Sequence, residues 1–236
     1  MKLLLVAGPP SVGKTTIIKR VIEQFIKEKK ICYFKMDVVK AYEADDLKNE
    51  YGIDTKISYS GDMCPDHAEV MVLEDVIEWG NQNNADLLII ESAGLCLRCS
   101  PFLSQGVGVA VQSLTSGIYS VEKMQSLISL ADVVMLTRID LVSQVEREVF
   151  LQKIIESHKD LSVLETNALQ GTGITRLCEM IEKSEDIDVN TIFLKGNPPI
   201  GTCTICVGKK EIGWKHHFGV VKKLSGDIAN SLYRGD

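Results

Sequence analysis

The sequence has no apolar run of bilayer length, no surplus of positive charge, no internal repeat and no low-complexity tract. Each absence removes a class of protein. A membrane-spanning helix needs about 20 consecutive apolar residues, so no membrane partner is expected. Lys and Arg total 26 against 32 Asp and Glu, a net charge of −6. A nucleic-acid scaffold normally presents a basic face, so no nucleic-acid partner is expected either. Arginines are few and unclustered, which argues against an arginine-rich lid. The short apolar run at the N-terminus lacks a cleavage site and enters a glycine loop directly. It reads as a first strand rather than a leader. The 7 cysteines are an odd number, and four of them form two C-x-x-C pairs. Such a pattern suggests metal or redox chemistry in the cytoplasm more than a disulfide framework.

What remains is 236 residues, 45% hydrophobic and 25% charged. That is enough for one α/β domain with a sizeable core. Its organising stretch is Met1 to Thr16. Leu3 to Ala7 leads into Gly8-Pro9-Pro10-Ser11-Val12-Gly13-Lys14-Thr15, then into the helix-compatible Thr16 to Ile22. The pattern is G-x-x-x-x-G-K-[ST] between a buried strand and a helix. Glycines let successive N–H groups turn toward phosphate oxygens, and the new helix adds its positive end. Lys14 would neutralise the β- and γ-phosphates, and the Thr15 hydroxyl would bind Mg²⁺. Gly8, Pro9, Ser11, Val12, Gly13, Lys14, Thr15 and Thr16 are therefore the expected phosphate-binding residues.

Further along, Ile31 to Met36 reads as a second buried strand ending in Asp37. An acid at the carboxyl end of a parallel strand lies where ligands bind. Asp37 is thus a candidate for Mg²⁺ or the attacking water, with a cap or loop role as the plainer alternative. Ala85 to Glu91 is a third buried strand ending in an acid, and Gly94 follows three residues on. Glu91 would hold Mg²⁺ through water, and the Gly94 N–H would touch the γ-phosphate. Ala131 to Thr137 is another buried strand. It runs into Thr137-Arg138-Ile139-Asp140, where guanine-specific proteins of this kind carry [NT]-K-x-D. Asp140 would accept from guanine, and the Arg138 stem would lie along the purine. Asn167 and Ala168 lie in the expected base-edge loop. Charged Ala41–Tyr51, Ala68–Gly80, Val121–Leu130, Ser143–His158 and Ile174–Lys183 read as helices; Asp186–Leu194 reads as a strand.

Cys64 and His67 fall in an expected loop beside Asp66, a borderline ligand set for Zn²⁺ or Ni²⁺. Cys96 and Cys99 begin two positions beyond the expected sensor glycine, and Cys203 and Cys206 lie in the tail. The four thiols suit one metal or cluster site, within a chain or across a dimer; redox dithiols and coincidence are the alternatives. Thiolates suit Zn²⁺, Cu⁺ or an iron–sulfur cluster. His216 and His217 would point to opposite faces of a strand.

From Met1 to about Lys183 these residues resemble the nickel-insertion GTPases of hydrogenase and urease maturation, the HypB/UreG group of the SIMIBI class. The resemblance rests on Gly8–Thr15, on Asp37, on Ser60-Gly61-Asp62-Met63-Cys64-Pro65, on Glu91-Ser92-Ala93-Gly94 and on Thr137-Arg138-Ile139-Asp140. Three features depart from it. Asp66 interrupts a Cys-Pro-His triplet, Arg138 replaces a lysine, and the tail thiols have no counterpart in the pattern. The resemblance implies a doubly wound, mostly parallel sheet of the P-loop type over 1–185; the tail, 186–236, reads by itself as a thiol-bearing appendage. It implies a slow GTPase using GTP and Mg²⁺. It further implies a homodimer that carries nickel or zinc to an apo-metalloenzyme client or another maturation factor. Two other readings stand beside it: a nucleotide-dependent iron–sulfur cluster carrier and a small-molecule kinase.

Overall fold

The computed structural model describes residues 1–38, 41–93, 101–196, 208–217, 219–222, 224 and 232–235. Its centre is β1 (Lys2–Ala7), which pairs in parallel with β4 (Leu87–Glu91) on one side and β5 (Val107–Ser113) on the other. Beyond β4 lie β2 (Ile31–Asp37) and β3 (Asp54–Tyr59). Beyond β5 lie β6 (Val133–Thr137) and β7 (Ser162–Glu165). The order is β3-β2-β4-β1-β5-β6-β7, and every neighbouring pair is parallel.

Both faces of the sheet are buried, as a parallel sheet requires. Alternation along each strand divides the apolar side chains between two cores. Leu4, Val6, Tyr33 and Ile89 pack with α1 (Lys14–Phe25), α2 (Glu43–Tyr51) and α7 (Ile174–Lys183). Leu3, Leu5, Phe34 and Ile90 pack with α3 (Pro65–Gln82) and with Phe150 and Ile154 of α6 (Gln144–Ser157). Ser143 and Glu146 close a reciprocal cap on α6, fixing where that helix begins. The chain leaves β1 for β2 and β3, returns to β4, and then crosses to β5, β6 and β7. The carboxyl ends of β1, β4 and β5 therefore frame the crevice where such sheets bind ligands.

Three expectations are corrected here. The helix after Cys64 begins at Pro65, not at Ala68, because proline's fixed φ suits a first helical position. Cys64 is thus the residue preceding a helix, and Asp66 and His67 lie in its first turn rather than in a loop. The single helix expected over Val121–Leu130 is two short ones, α4 (Tyr119–Lys123) and α5 (Gln125–Ile128), with Met124 between them. No strand runs over Asp186–Leu194. Thr191 N donates to Asp188 O at 3.1 Å in a turn, and only Leu194 bridges, antiparallel to Leu103.

The described tail residues are fastened to the main body. Ile192, Leu194 and Ile212 are buried in the core under α3. Gly213 N donates to Val70 O of that helix at 3.0 Å. β8 (Gly219–Lys222) and β9 (Leu232–Gly235) form an antiparallel pair. Among the described residues no helix is long and apolar enough to cross a membrane.

Candidate functional site

The loop between β1 and α1 holds its shape through backbone conformations that few residues adopt. Gly13 has φ +101°, and a Cβ on Gly8 would meet Val111 O at 2.5 Å, so only glycine fits there. Gly13 also precedes α1 with no side chain capping the helix. The first N–H groups of α1 therefore face the crevice, as an anion site requires. Lys14 curls over the loop, donating to Gly8 O at 2.8 Å and Pro9 O at 3.1 Å. Burial lowers its pKa, with Glu91 pulling the other way.

Opposite this loop stands Glu91 at the end of β4. Thr15 Oγ1 lies 3.1 Å from each of its carboxylate oxygens. Tyr33 OH donates to Oε2 at 2.8 Å and Lys35 Nζ to Oε1 at 3.4 Å. Lys35 also pairs with Asp37 at 3.5 Å and with Glu43, the first residue of α2, at 2.8 Å. Burial alone would lower the Lys35 pKa; Glu91, Glu43 and Asp37 outweigh it and hold the ammonium above its usual range. Burial, then Glu91, pushes Tyr33 well above the usual phenol range. Lys14, Thr15, Lys35, Asp37, Glu43 and Glu91 line one cavity of about 540 Å³. Its donor set, a hydroxyl and carboxylates, consists of hard oxygens that suit Mg²⁺. Its loop amides and Lys14 suit phosphate. Tyr33 and Lys35 were not among the expected site residues. The available signal was a lysine inside an otherwise apolar strand, Ile31 to Met36.

A second cavity, about 290 Å³, adjoins the first through Gly13, Thr16 and Arg138. Val12, Thr137, Asp140, Asn167 and Ala168 complete most of its wall. Thr137 Oγ1 donates to Val12 O at 2.7 Å, tying the phosphate loop to β6. Arg138 adopts φ +60°. Its guanidinium bonds Ser11 O at 2.5 Å and Thr115 Oγ1 at 3.0 Å, so the stem borders both cavities while the head buttresses the loop. Asn167 spends its carbonyl oxygen on Leu169 N and Gln170 N. Arg20 of α1, unsuspected from sequence, donates to Ala168 O at 2.8 Å and holds this loop in place.

Across the sheet, Ser92 Oγ lies 3.2 Å from Asp66 Oδ1 in the first turn of α3. Cys64, directly before that helix, is partly accessible. His67 is buried, with the His217 ring edge-on at 5.3 Å between centroids. His217 Nε2 lies 2.6 Å from Glu211 O, and burial lowers the pKa of this ring. Among the described residues, no three or more His, Cys, Asp or Glu are grouped to hold a metal ion. Gly94, Cys96, Cys99, Cys203 and Cys206 lie outside the described residues.

The profile of the CobW/HypB/UreG nucleotide-binding domain matches residues 2–165. A Methanocaldococcus jannaschii protein, "Uncharacterized protein MJ0120", is 36% identical over 231 residues, covering 96% of this chain and 97% of its own. The probable hydrogenase maturation factor HypB of the same organism is 25% identical over 177 residues, covering 73% and 78%. Among solved structures, HypB from Archaeoglobus fulgidus has a TM-score of 0.64 at 22% identity, covering 77% of this chain and 89% of that one. HypB from Helicobacter pylori in complex with nickel has a TM-score of 0.60 at 19% identity, covering 78% and 86%. These structural likenesses bear on the fold: a P-loop sheet flanked by helices.

Proposed function

The chain belongs to the CobW/HypB/UreG nucleotide-binding family, and from that premise we propose that it is a GTP-hydrolysing metallochaperone. It binds a transition metal, nickel or zinc, and assists metallocentre assembly in a client enzyme. In this reading Lys14 and the loop amides hold the phosphates, and Thr15, Asp37 and Glu91 hold Mg²⁺. That ion would supply charge neutralisation between the phosphates. Asp140 selects guanine, Gly94 senses the γ-phosphate, and Cys64, His67 and the two C-x-x-C pairs carry the transferred metal. The protein works as a homodimer, and turnover is slow because, among the described residues, the one arginine lining the phosphate cavity, Arg138, has its guanidinium bonded to Ser11 O and Thr115 Oγ1.

One observation carries the reading. Glu91 and Ser92 are consecutive; the first is bonded to Thr15 of the phosphate loop and the second to Asp66, beside Cys64 and His67. A change at the phosphate end therefore has a direct covalent route to the thiol-bearing end. Support for a shared thiol site within one chain comes from the residues flanking it. Leu103 bridges Leu194, Lys195 N donates to Phe102 O at 2.9 Å, and Leu194 N donates to Lys210 O at 2.8 Å.

Equilibrium dialysis of anaerobically purified protein against several metals, with the visible spectrum recorded, tests the cargo. A stoichiometric Ni²⁺ or Zn²⁺ site that weakens on replacing Cys64 or the C-x-x-C cysteines is expected. Sulfide-bearing absorbance would turn the reading to a cluster carrier. GTP turnover with no organic acceptor present separates it from a kinase.

A further inference from the structure

Lys35 occupies a position where β2 calls for an apolar residue. It shares a strand face with Ile31 and Tyr33, both buried in the core under α1 and α2. Its own side chain is 7% exposed. Burying an ammonium is costly unless charge and hydrogen bonds compensate it. Here three carboxylates do so: Glu43 at 2.8 Å, Glu91 at 3.4 Å and Asp37 at 3.5 Å. These acids come from three separate elements, α2, β4 and β2, and the lysine is what they have in common. All four groups line the cavity that holds Lys14 and Thr15. Among the described residues, removing Lys35 would leave chiefly Lys14 to balance three carboxylates, an arrangement that draws in free divalent cations and repels phosphate.

We infer that Lys35 is the resident cation of this carboxylate cage. It occupies the space among Glu91, Asp37 and Glu43 while nucleotide is absent, and so keeps free divalent metal out. The metal is then admitted only with a nucleotide, whose phosphates offer the displaced ammonium a new partner. Four methylene groups give the lysine head room to swing from carboxylate to phosphate. Lys35 acts through the acids it holds and is a positioning residue. The inference rests on the nucleotide-binding reading of the cavity and deepens it: it states the order in which metal and nucleotide are taken up.

The test is a Mn²⁺ titration followed by electron paramagnetic resonance, with no nucleotide present, on wild type, Lys35→Met and Lys35→Arg. Lys35→Met should bind one Mn²⁺ more tightly than wild type by on the order of ten- to a hundredfold, the consequence of removing one nearby positive charge. Lys35→Arg, which keeps the charge, should behave like wild type. Equal Mn²⁺ binding by all three, or an arginine variant that behaves like the methionine variant, overturns the inference. Should Lys35→Met not fold, wild type labelled with ¹⁵N-lysine gives the answer, the Lys35 signal being the one lost in Lys35→Arg. That signal should stay in place with Mg²⁺ alone and move with Mg²⁺ plus GDP; movement with Mg²⁺ alone refutes the idea. Because the Mn²⁺ titration contains no nucleotide, its outcome is independent of GTP turnover. A protein that shows the Lys35 effect but hydrolyses no GTP would sink the functional reading alone.

Discussion

Two consecutive residues, Glu91 and Ser92, face regions that treat charge in opposite ways. On the phosphate side, Glu91 is met by Thr15, Tyr33 and Lys35. Lys35 in turn balances Asp37 and Glu43, so the acids of that cavity are compensated. On the other side, beneath the thiol-bearing end of α3, Glu69 is completely buried. No cation offsets it among the described residues. Burial, then Asp66 beside it, pushes its pKa well above the carboxylate range, with Ser92 offsetting only part. The difference is instructive. A cavity for a polyanion and a divalent cation must keep charged groups charged, and does so with counter-ions. A packed helix start can carry an acid only by keeping it protonated.

The largest expected effect breaks the charged side. Lys14→Ala should lower GTP turnover by on the order of 10²- to 10³-fold while leaving the thermal unfolding midpoint near that of wild type. Steady-state phosphate release and a melting curve check both, and unchanged turnover would remove Lys14 from the site. Next, Asp140→Ala should cut the preference for GTP over ATP by about one to two orders of magnitude, since the guanine edge loses its acceptor. Competition between the two nucleotides measures it; an unaltered ratio would return the choice of base to Arg138 and the Asn167 loop.

The uncharged side gives a smaller, pH-dependent signal. A raised carboxyl pKa in the folded state means that the protonated acid adds stability below the unfolded value. That contribution is lost as pH rises through the folded value, at about 1.4 kcal/mol per unit. Wild-type stability should therefore fall as pH rises above the ordinary glutamate range. Glu69→Gln, which cannot ionise, should flatten that slope. Parallel slopes for the two proteins would mean that Glu69 does not carry the effect. Smallest of all, Arg138→Ala should weaken nucleotide binding by about 1 kcal/mol, roughly fivefold. It removes two hydrogen bonds that hold the loop rather than any contact essential to it. A loss as large as that of Lys14→Ala would show that Arg138 touches the nucleotide itself.

Much of the charged side is legible in the sequence. The phosphate loop is encoded by neighbours in the chain, glycines, lysine and threonine between an apolar strand and an amphipathic helix. The acids at strand ends follow from the same local pattern. Tyr33 and Lys35 are not legible that way, because the partner that explains them, Glu91, lies on β4. Only the pairing of β2 with β4 brings it near. The setting of Cys64 and His67 is not legible either. Pro65 starts α3 earlier than the apolar period suggests, and this carries His67 into the interior. The docking of the tail rests on residues far apart in sequence, Leu103 with Leu194 and Val70 with Gly213. No periodicity announces such a contact. The apposition of His67 and His217 arises in the same way.

The central claim is that the two sides of the Glu91–Ser92 pair are energetically linked. Binding linkage is reciprocal: if metal prefers one nucleotide state, that nucleotide must favour metal binding by the same factor. A calorimetric titration of the apo-protein with Ni²⁺ and with Zn²⁺, in saturating GDP and in a non-hydrolysable GTP analogue, measures that factor directly. The account predicts affinities that differ by about fivefold or more between the two nucleotide states, within the usual span of allosteric coupling. The difference should shrink in Ser92→Ala, which cuts the link to Asp66. Identical metal affinity in the two states would contradict it.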